Sequence, residues 1–320
     1  MSEKFDVVIF GSCIVDFISY VPRLPKVGET LHGTKFVTGF GGKGANQCIA
    51  AARLGSRTAI IGKLGNDPWG KSYRDALRQE GVNVDRVDLI EGESTGIAQI
   101  NVANNGDNQI VIVVGANNCL KPVDVQASSQ LLGTAKVLIC QLETPLEATI
   151  EALKSFSGIS IMNAAPALEN IPQDLLKYAT IFCVNETEAA LITDLQVETI
   201  MQAKAALLKL QNMGCGTVII TLGEKGAIFA TKSEAKIIHV KPCQVERVVD
   251  TTGAGDAFIG ALAHFIAGNP SAELLQCIAA ANKVAAMSVQ KPGTQTSFPR
   301  FQETGLPRDV SLYQSEWEYI

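Results

Sequence analysis

Residues 181–221 read IFCVNETEAALITDLQVETIMQAKAALLKLQNMGCGTVIIT, and this stretch decides the fold class. Its two ends, Ile181-Phe-Cys-Val184 and Val218-Ile-Ile-Thr221, are short, β-branched and apolar without alternation. That is the pattern of strands buried on both faces. Between them residues 199–213 are helical in pattern and stop at Gly214, the place of a C′ glycine. Outward from this unit the rhythm repeats. Val7-Val-Ile-Phe10, Ala59-Ile-Ile61, Val137-Leu-Ile-Cys140 and Ile159-Ser-Ile161 read as further buried strands. Residues 44–54 and 69–80 read as helices ending at Gly55 and Gly81. Strand and helix alternating this often predict an α/β fold with a doubly wound, mostly parallel sheet.

Two segments break the rhythm. Residues 97–102 and 110–114 flank Asn104-Asn-Gly-Asp107, where Asn105-Gly106 predicts a type I′ hairpin turn, because both residues accept positive φ. Residues 14–38 are short, extended and punctuated by Pro22, Pro25, Gly28 and Gly33. Together they predict a small antiparallel sheet inserted into the α/β body, a lid over a ligand cleft or else a plain surface hairpin. The lid segments run over about 14–42 and 95–116 of a single domain, 1–320. The tail from Phe298 shows no clear period.

The chain has 320 residues, and 47% of them are apolar. That fills a sizeable core and excludes a disordered chain. Lys and Arg number 27 against 32 Asp and Glu, a net charge of −5, without a basic cluster. Nucleic-acid binding and docking on anionic membranes are therefore not expected. The eight cysteines (Cys13, Cys48, Cys119, Cys140, Cys183, Cys215, Cys243 and Cys277) are scattered with no C-x-x-C pair, which removes zinc-ribbon and thioredoxin-type readings. Most sit in apolar runs, as small hydrophobes. The N-terminus lacks a signal peptide's apolar region, and no window of about 18 apolar residues predicts a membrane span. The expectation is a cytoplasmic protein, with nuclear entry by diffusion left open. His32, His239 and His264 are isolated, and the chain has no H-E-x-x-H; Gly92-Glu-Ser-Thr-Gly96 fits G-x-S-x-G in form only, because it runs into the extended stretch at 97–102 and not into a helix.

Chemistry points to five places. Asp250-Thr-Thr-Gly-Ala-Gly-Asp256 precedes a helical stretch at 257–267. Gly253 and Gly255 let successive N–H groups converge at a helix start, where the dipole favours an anion. Asp256 beside that hole suits a base taking a hydroxyl proton while the hole accepts phosphoryl charge; an acid in a first helical turn is equally a structural device. Gly39-Phe-Gly-Gly-Lys-Gly-Ala-Asn46 matches G-x-G-x-x-G formally. It lies thirty residues past the first strand and lacks the Walker A Ser or Thr after Lys43, so a small polyhydroxy ligand on Lys43 and Asn46 fits better than a pyrophosphate. A nicotinamide oxidoreductase is the reading it leaves over. Asn185-Glu-Thr-Glu188 follows a strand; Asn and Glu there can order hydrated Mg²⁺, although a helix N-cap is the commoner local meaning. Gln141-Leu-Glu143 also follows a strand, and Thr221-Leu-Gly-Glu-Lys-Gly226 is a turn whose glycines can flank a nucleotide.

With these motifs in this order, the chain resembles the ribokinase-like (PfkB) carbohydrate kinases from about residue 7 to residue 298. FGGKGANQ at 40–47 and DTTGAGDAF at 250–258 carry the resemblance. It implies a three-layer α/β domain with a β-lid, and members commonly form homodimers through those lids. It implies transfer of phosphate from ATP to the 5-hydroxyl of D-ribose, with Asp256 as base and the backbone of Gly253, Ala254 and Gly255 as anion hole. Asp16, Gly42, Lys43, Asn46 and Glu143 match sugar-binding positions. Asn185, Thr221, Leu222, Gly223, Glu224, Lys225, Gly226 and Asn282 match nucleotide contacts. Glu188 completes the N-x-x-E motif tied to Mg²⁺ and phosphate. A monovalent-cation site, usually K⁺, is implied at Asp250 and the Thr252 carbonyl, with Ser288, Lys291, Gly293 and Ser297 on its other side. Gly42-Lys-Gly-Ala-Asn46 disfavours the fructokinase, keto-deoxygluconate kinase and phosphofructokinase branches. A 2-deoxyribose kinase and a non-catalytic sugar sensor are the alternatives. One departure stands out: many bacterial members carry Asn two residues before the Asp matching Asp16, and this chain has Ile14. One sugar hydrogen bond is lost there, which bears on affinity and sugar preference.

Overall fold

The computed structural model describes residues 4–232 and 236–320. The strands, in chain order, are β1 (Val7–Phe10), β2 (Ile14–Val21), β3 (Lys35–Gly41), β4 (Thr58–Gly65), β5 (Asn83–Ile90), β6 (Gly96–Ala103), β7 (Asn108–Val113), β8 (Val137–Cys140), β9 (Ile159–Asn163), β10 (Ile181–Asn185), β11 (Thr217–Thr221), β12 (Ala227–Ala230), β13 (Ile238–Val240) and β14 (Trp317–Tyr319). The helices are α1 (Lys43–Arg53), α2 (Pro68–Gln79), α3 (Pro122–Ala127), α4 (Ser129–Leu132), α5 (Leu146–Ser155), α6 (Gln173–Tyr178), α7 (Glu186–Thr193), α8 (Ile200–Asn212), α9 (Ala254–Gly268), α10 (Leu274–Ser288) and α11 (Phe301–Thr304).

The main sheet runs β14-β13-β12-β11-β10-β9-β8-β1-β4-β5. From β11 to β5 every pair is parallel, and β12 to β14 extend the sheet antiparallel. Side chains alternate between two cores, as strand geometry requires. Val7 and Ile9 pack toward α1, α2, α9 and α10, while Val8 and Phe10 pack toward α3, α5, α6, α7 and α8. Burial on both faces is why these strands read as unbroken apolar runs. Helix ends follow the expected chemistry. Thr199 caps α8 and Gln202 returns the bond, while Gly55, Gly81 and Gly214 take positive φ just past α1, α2 and α8.

The second sheet is β3-β2-β6-β7. It corrects the expected antiparallel arrangement in one respect: its central pair, β2 with β6, is parallel, and only the flanking pairs are antiparallel. The two segments reach the sheet from distant parts of the chain, so their relative direction was free of any hairpin. The turn at 104–107 also differs from expectation. Gly106 has φ 90° but Asn105 is not in the positive-φ region. The Gly106 N–H donates to the Ala103 carbonyl, and Ala103 N–H to Asp107, so the loop is a turn closed by a left-handed glycine rather than type I′.

Four strands of the main sheet gave no clear signal. β5 is an edge strand carrying Asp85, Arg86 and Asp88, and β12, β13 and β14 are only three or four residues long. Through β14 the tail joins the main sheet. There Glu318 meets His239 Nδ1 at 3.1 Å, and His239 Nε2 donates to the Lys225 carbonyl at 2.7 Å. No helix among the described residues is long and apolar enough to cross a membrane.

Candidate active site

Ligands of open α/β sheets collect beyond the carboxyl ends of parallel strands. There β9 ends at Asn163, β10 at Asn185 and β11 at Thr221. Two helices also begin there. Gly42 is the N-cap of α1 and Gly253 that of α9, both at positive φ (87° and 79°) and neither helix capped by a side chain. The two helices cross closely: a Cβ on Gly260 would lie 2.5 Å from the Gln47 carbonyl oxygen. The glycine therefore fixes how the two N-termini face each other.

A cleft of about 180 Å³ opens between them, lined by Lys43, Asn163, Cys183, Asn185, Glu188, Thr221, Gly253, Gly255, Asp256 and Phe258 among others. Asp256 is third in α9 and only 7% exposed. Both carboxylate oxygens are held by amide donors, Asn46 Nδ2 to Oδ2 and Gln47 Nε2 to Oδ1, each at 2.9 Å. Gln47 also donates to Asn163 Oδ1 and accepts from Gln141 Nε2. Beside Gly255 a Cβ would meet nothing within 4 Å, so the space over the first turn of α9 is open to a ligand.

Charge in the cleft is arranged around one ammonium. Burial works against the Lys43 charge, but Asp256, Glu143 and Glu188 outweigh it and hold its pKa above the ordinary value. Glu143 accepts from the Ser12 hydroxyl at 2.5 Å and from the Lys43 backbone N–H at 2.8 Å. Asp16, on β2 beside Gly41, is pushed up to about 7 by burial, with Glu143 and Asp256 adding repulsion. Burial also raises Glu188. Asn185 and Glu188 form a reciprocal capping box on α7, the structural meaning their spacing allows, and both still line the cleft.

The remaining candidates are placed as follows. In the turn after β11, Thr221 lines the cleft and Leu222 is buried in the core, so only its backbone is available to a ligand. Gly223, Glu224 and Lys225 form a 3₁₀ turn closed by Gly226, and Lys225 Nζ donates to the Glu198 carbonyl. Asn282 on α10 has a buried Nδ2 with no hydrogen-bond partner among the described residues. The Asp250 carboxylate receives the N–H groups of Thr252 and Gly293, both at 2.9 Å, and so ties the two proposed cation loops together. Burial disfavours its charge, but those donors hold it below the usual carboxylate range. Ser288 and Ser297 donate to the Ala285 and Thr294 carbonyls, and Lys291 reaches toward Glu303. Gln47, Asn163 and Gln295 were not singled out as site residues, and of Gln141-Leu-Glu143 only Glu143 was given a role. Gln47 and Asn163 had a signal: a polar side chain inside an apolar helix run, and a polar strand end.

A carboxylate held beside an uncapped helix start, with a lysine facing it, is the equipment of a phosphoryl-transfer enzyme. Residues 4–300 match the pfkB family carbohydrate kinases, and the chain belongs to that family. Among its relatives, a ribokinase of Mus musculus is 43% identical over 300 residues, 93% of each chain. A deoxyribokinase of Salmonella typhimurium is 36% identical over 301 residues, 93% of this chain and 97% of the relative. The structure of an Arabidopsis thaliana ribokinase complexed with ribose and ATP superposes with a TM-score of 0.88 at 30% identity, covering 98% of this chain and all of that one.

Proposed function

We propose that this enzyme transfers the γ-phosphoryl group of ATP to the 5-hydroxyl of D-ribose, giving ribose 5-phosphate and ADP. One observation carries the reading: Asp256, held on both oxygens, sits in the first turn of an uncapped helix whose N-terminus opens on the cleft. The acceptor O–H proton passes to Asp256 as the new O–P bond forms and the bond to the β-phosphate oxygen breaks. The N–H groups from Gly253 to Gly255 and the helix dipole take up the charge developing on the phosphoryl oxygens. The Asp256 proton then returns to solvent. Asp16, Gly42, Lys43, Asn46 and Glu143 hold the sugar; Asn185, the turn 221–226 and Asn282 hold the nucleotide. For Asn282 the support is its unpartnered buried amide.

Mg²⁺ on the phosphates supplies charge neutralisation. Among the described residues no three acidic, thiol or imidazole groups are placed to hold a metal ion by themselves, so a largely hydrated Mg²⁺ would be held on the protein side by Glu188 and would neutralise phosphate charge there. A monovalent cation such as K⁺ would be held by the Asp250 carboxylate with oxygens of the loops at 252 and 288–297, and in favour of this Asp250 ties the loops at Thr252 and Gly293 together. Exchanging K⁺ for a bulky organic cation should lower turnover; indifference would remove that site.

The small sheet is read as a lid and as the surface on which two copies pair. In favour, Ile110, Val111, Ile112 and Val113 on its edge strand β7 are all about half exposed. ATP as co-substrate and eight free cysteines favour a cytoplasmic location. The deoxyribokinase relative and Ile14, in place of a polar neighbour to Asp16, keep 2-deoxyribose as the second acceptor. ADP release with ATP, Mg²⁺ and K⁺ across D-ribose, 2-deoxyribose, fructose, fructose 6-phosphate and adenosine decides. Turnover strongest on D-ribose is expected; strongest on another acceptor would move the specificity, and silence from folded protein would leave a sensor.

A further inference from the structure

A chain of hydrogen bonds runs from the lid to Asp256, and its chemistry leaves each member one orientation. The Gly41 carbonyl can only accept, so the Tyr73 hydroxyl donates its one proton there, at 2.5 Å. Tyr73 Oη must then be an acceptor, and Gln295 Nε2 donates to it at 3.0 Å. The other proton of the same Nε2 goes to Asn46 Oδ1 at 2.9 Å. With Oδ1 occupied, Asn46 presents Nδ2 to Asp256 Oδ2, the carboxylate being an acceptor at the far end of the chain. The Gln295 backbone is held in turn: its carbonyl accepts from Arg53 Nη1. Gln295 lies between Gly293, which donates to Asp250, and Ser297.

We propose that Gln295 is a positioning residue for phosphoryl transfer: it fixes the Asn46 amide so that its NH₂ group, not its carbonyl, faces Asp256. The second Nδ2 proton is then free for the acceptor sugar. Without Gln295 the amide can rotate by half a turn and set an oxygen against the carboxylate. The loop 293–297 thereby bears on the base although it does not line the cleft. The inference rests on the reading of Asp256 as the base.

Two substitutions separate this from a packing role. In Gln295→Ala the amide is released, and kcat/KM for the sugar should fall about tenfold, the worth of one buried hydrogen bond. Gln295→Glu is nearer in shape but cannot donate when ionised. It draws Asn46 Nδ2 toward itself, turns Oδ1 on Asp256, and should lose about a hundredfold. A packing role predicts the reverse order, with Glu milder than Ala. In both variants KM for ATP should hold. In the Asn46→Ala background, Gln295→Ala should add no more than about twofold, because the effect passes through Asn46. Full additivity, or Glu milder than Ala, would overturn the proposal. Asp256→Asn, assayed alongside, keeps the readings apart: if it turns over normally the base assignment has failed, whereas if it is inactive and the Gln295 effects are additive, only the positioning role has failed.

Discussion

Asp16→Asn is a perturbation whose size follows from burial. The Asp16 carboxyl has an ordinary value of 3.8 and is pushed up to about 7 in the folded protein. Between those values the folded chain keeps a proton that the unfolded chain has released. Stability therefore falls as pH rises through this window and levels off above 7. A shift of about three pH units at about 1.4 kcal/mol each sets a ceiling of about 4 kcal/mol. Asn cannot ionise, so the variant should match the wild type near pH 4 and exceed it in stability by up to that ceiling at pH 8. Urea unfolding of the unliganded protein at intervals from pH 4 to pH 8 measures the difference directly. The sugar should act in the opposite sense. Hydroxyls donating to Asp16 favour its carboxylate, so D-ribose should bind more tightly as pH rises through 7, and less so in the variant. Wild-type and variant stability curves that stay parallel from pH 4 to pH 8 would show that Asp16 is not held neutral by its surroundings.

Other expectations concern the glycines and the sheet edge. Gly253→Ala places a Cβ 2.5 Å from Thr294 Cγ2 at φ 79°, and should lower stability by roughly 1–3 kcal/mol in thermal unfolding. Gly255→Ala meets open space, so its melting temperature should hold while turnover falls, because the methyl group occupies the phosphoryl side of the cleft. If Gly255→Ala turned over normally, the ligand would not approach that turn. Ile112→Lys on β7 should convert a dimer to monomer in sedimentation at micromolar concentration. An unchanged mass would mean the copies pair elsewhere or not at all.

The parallel core was legible because its strands are buried on both faces. Ile181-Phe-Cys-Val184 and Val137-Leu-Ile-Cys140 have no polar alternation to confuse with an exposed helix, and glycines mark the helix ends. The parts that were not legible are those whose partners lie far away in sequence. The direction of β2 against β6 depends on how two distant segments meet, and β14 is three exposed residues defined only by pairing with β13. At the site, Asp256 and Lys43 were marked by their glycines. Gln295 was not, because an amide between two threonines carries no local signature and gains its meaning only where Asn46 and Tyr73 converge, more than 200 residues earlier.

The most direct test of the account is steady-state turnover of Asp256→Asn with ATP, Mg²⁺, K⁺ and D-ribose, alongside calorimetric binding of ATP. Asparagine keeps the shape and removes the base. In the variant kcat should fall by about 10²–10⁴ with nucleotide binding retained. Near-normal kcat in that variant would contradict the base assignment.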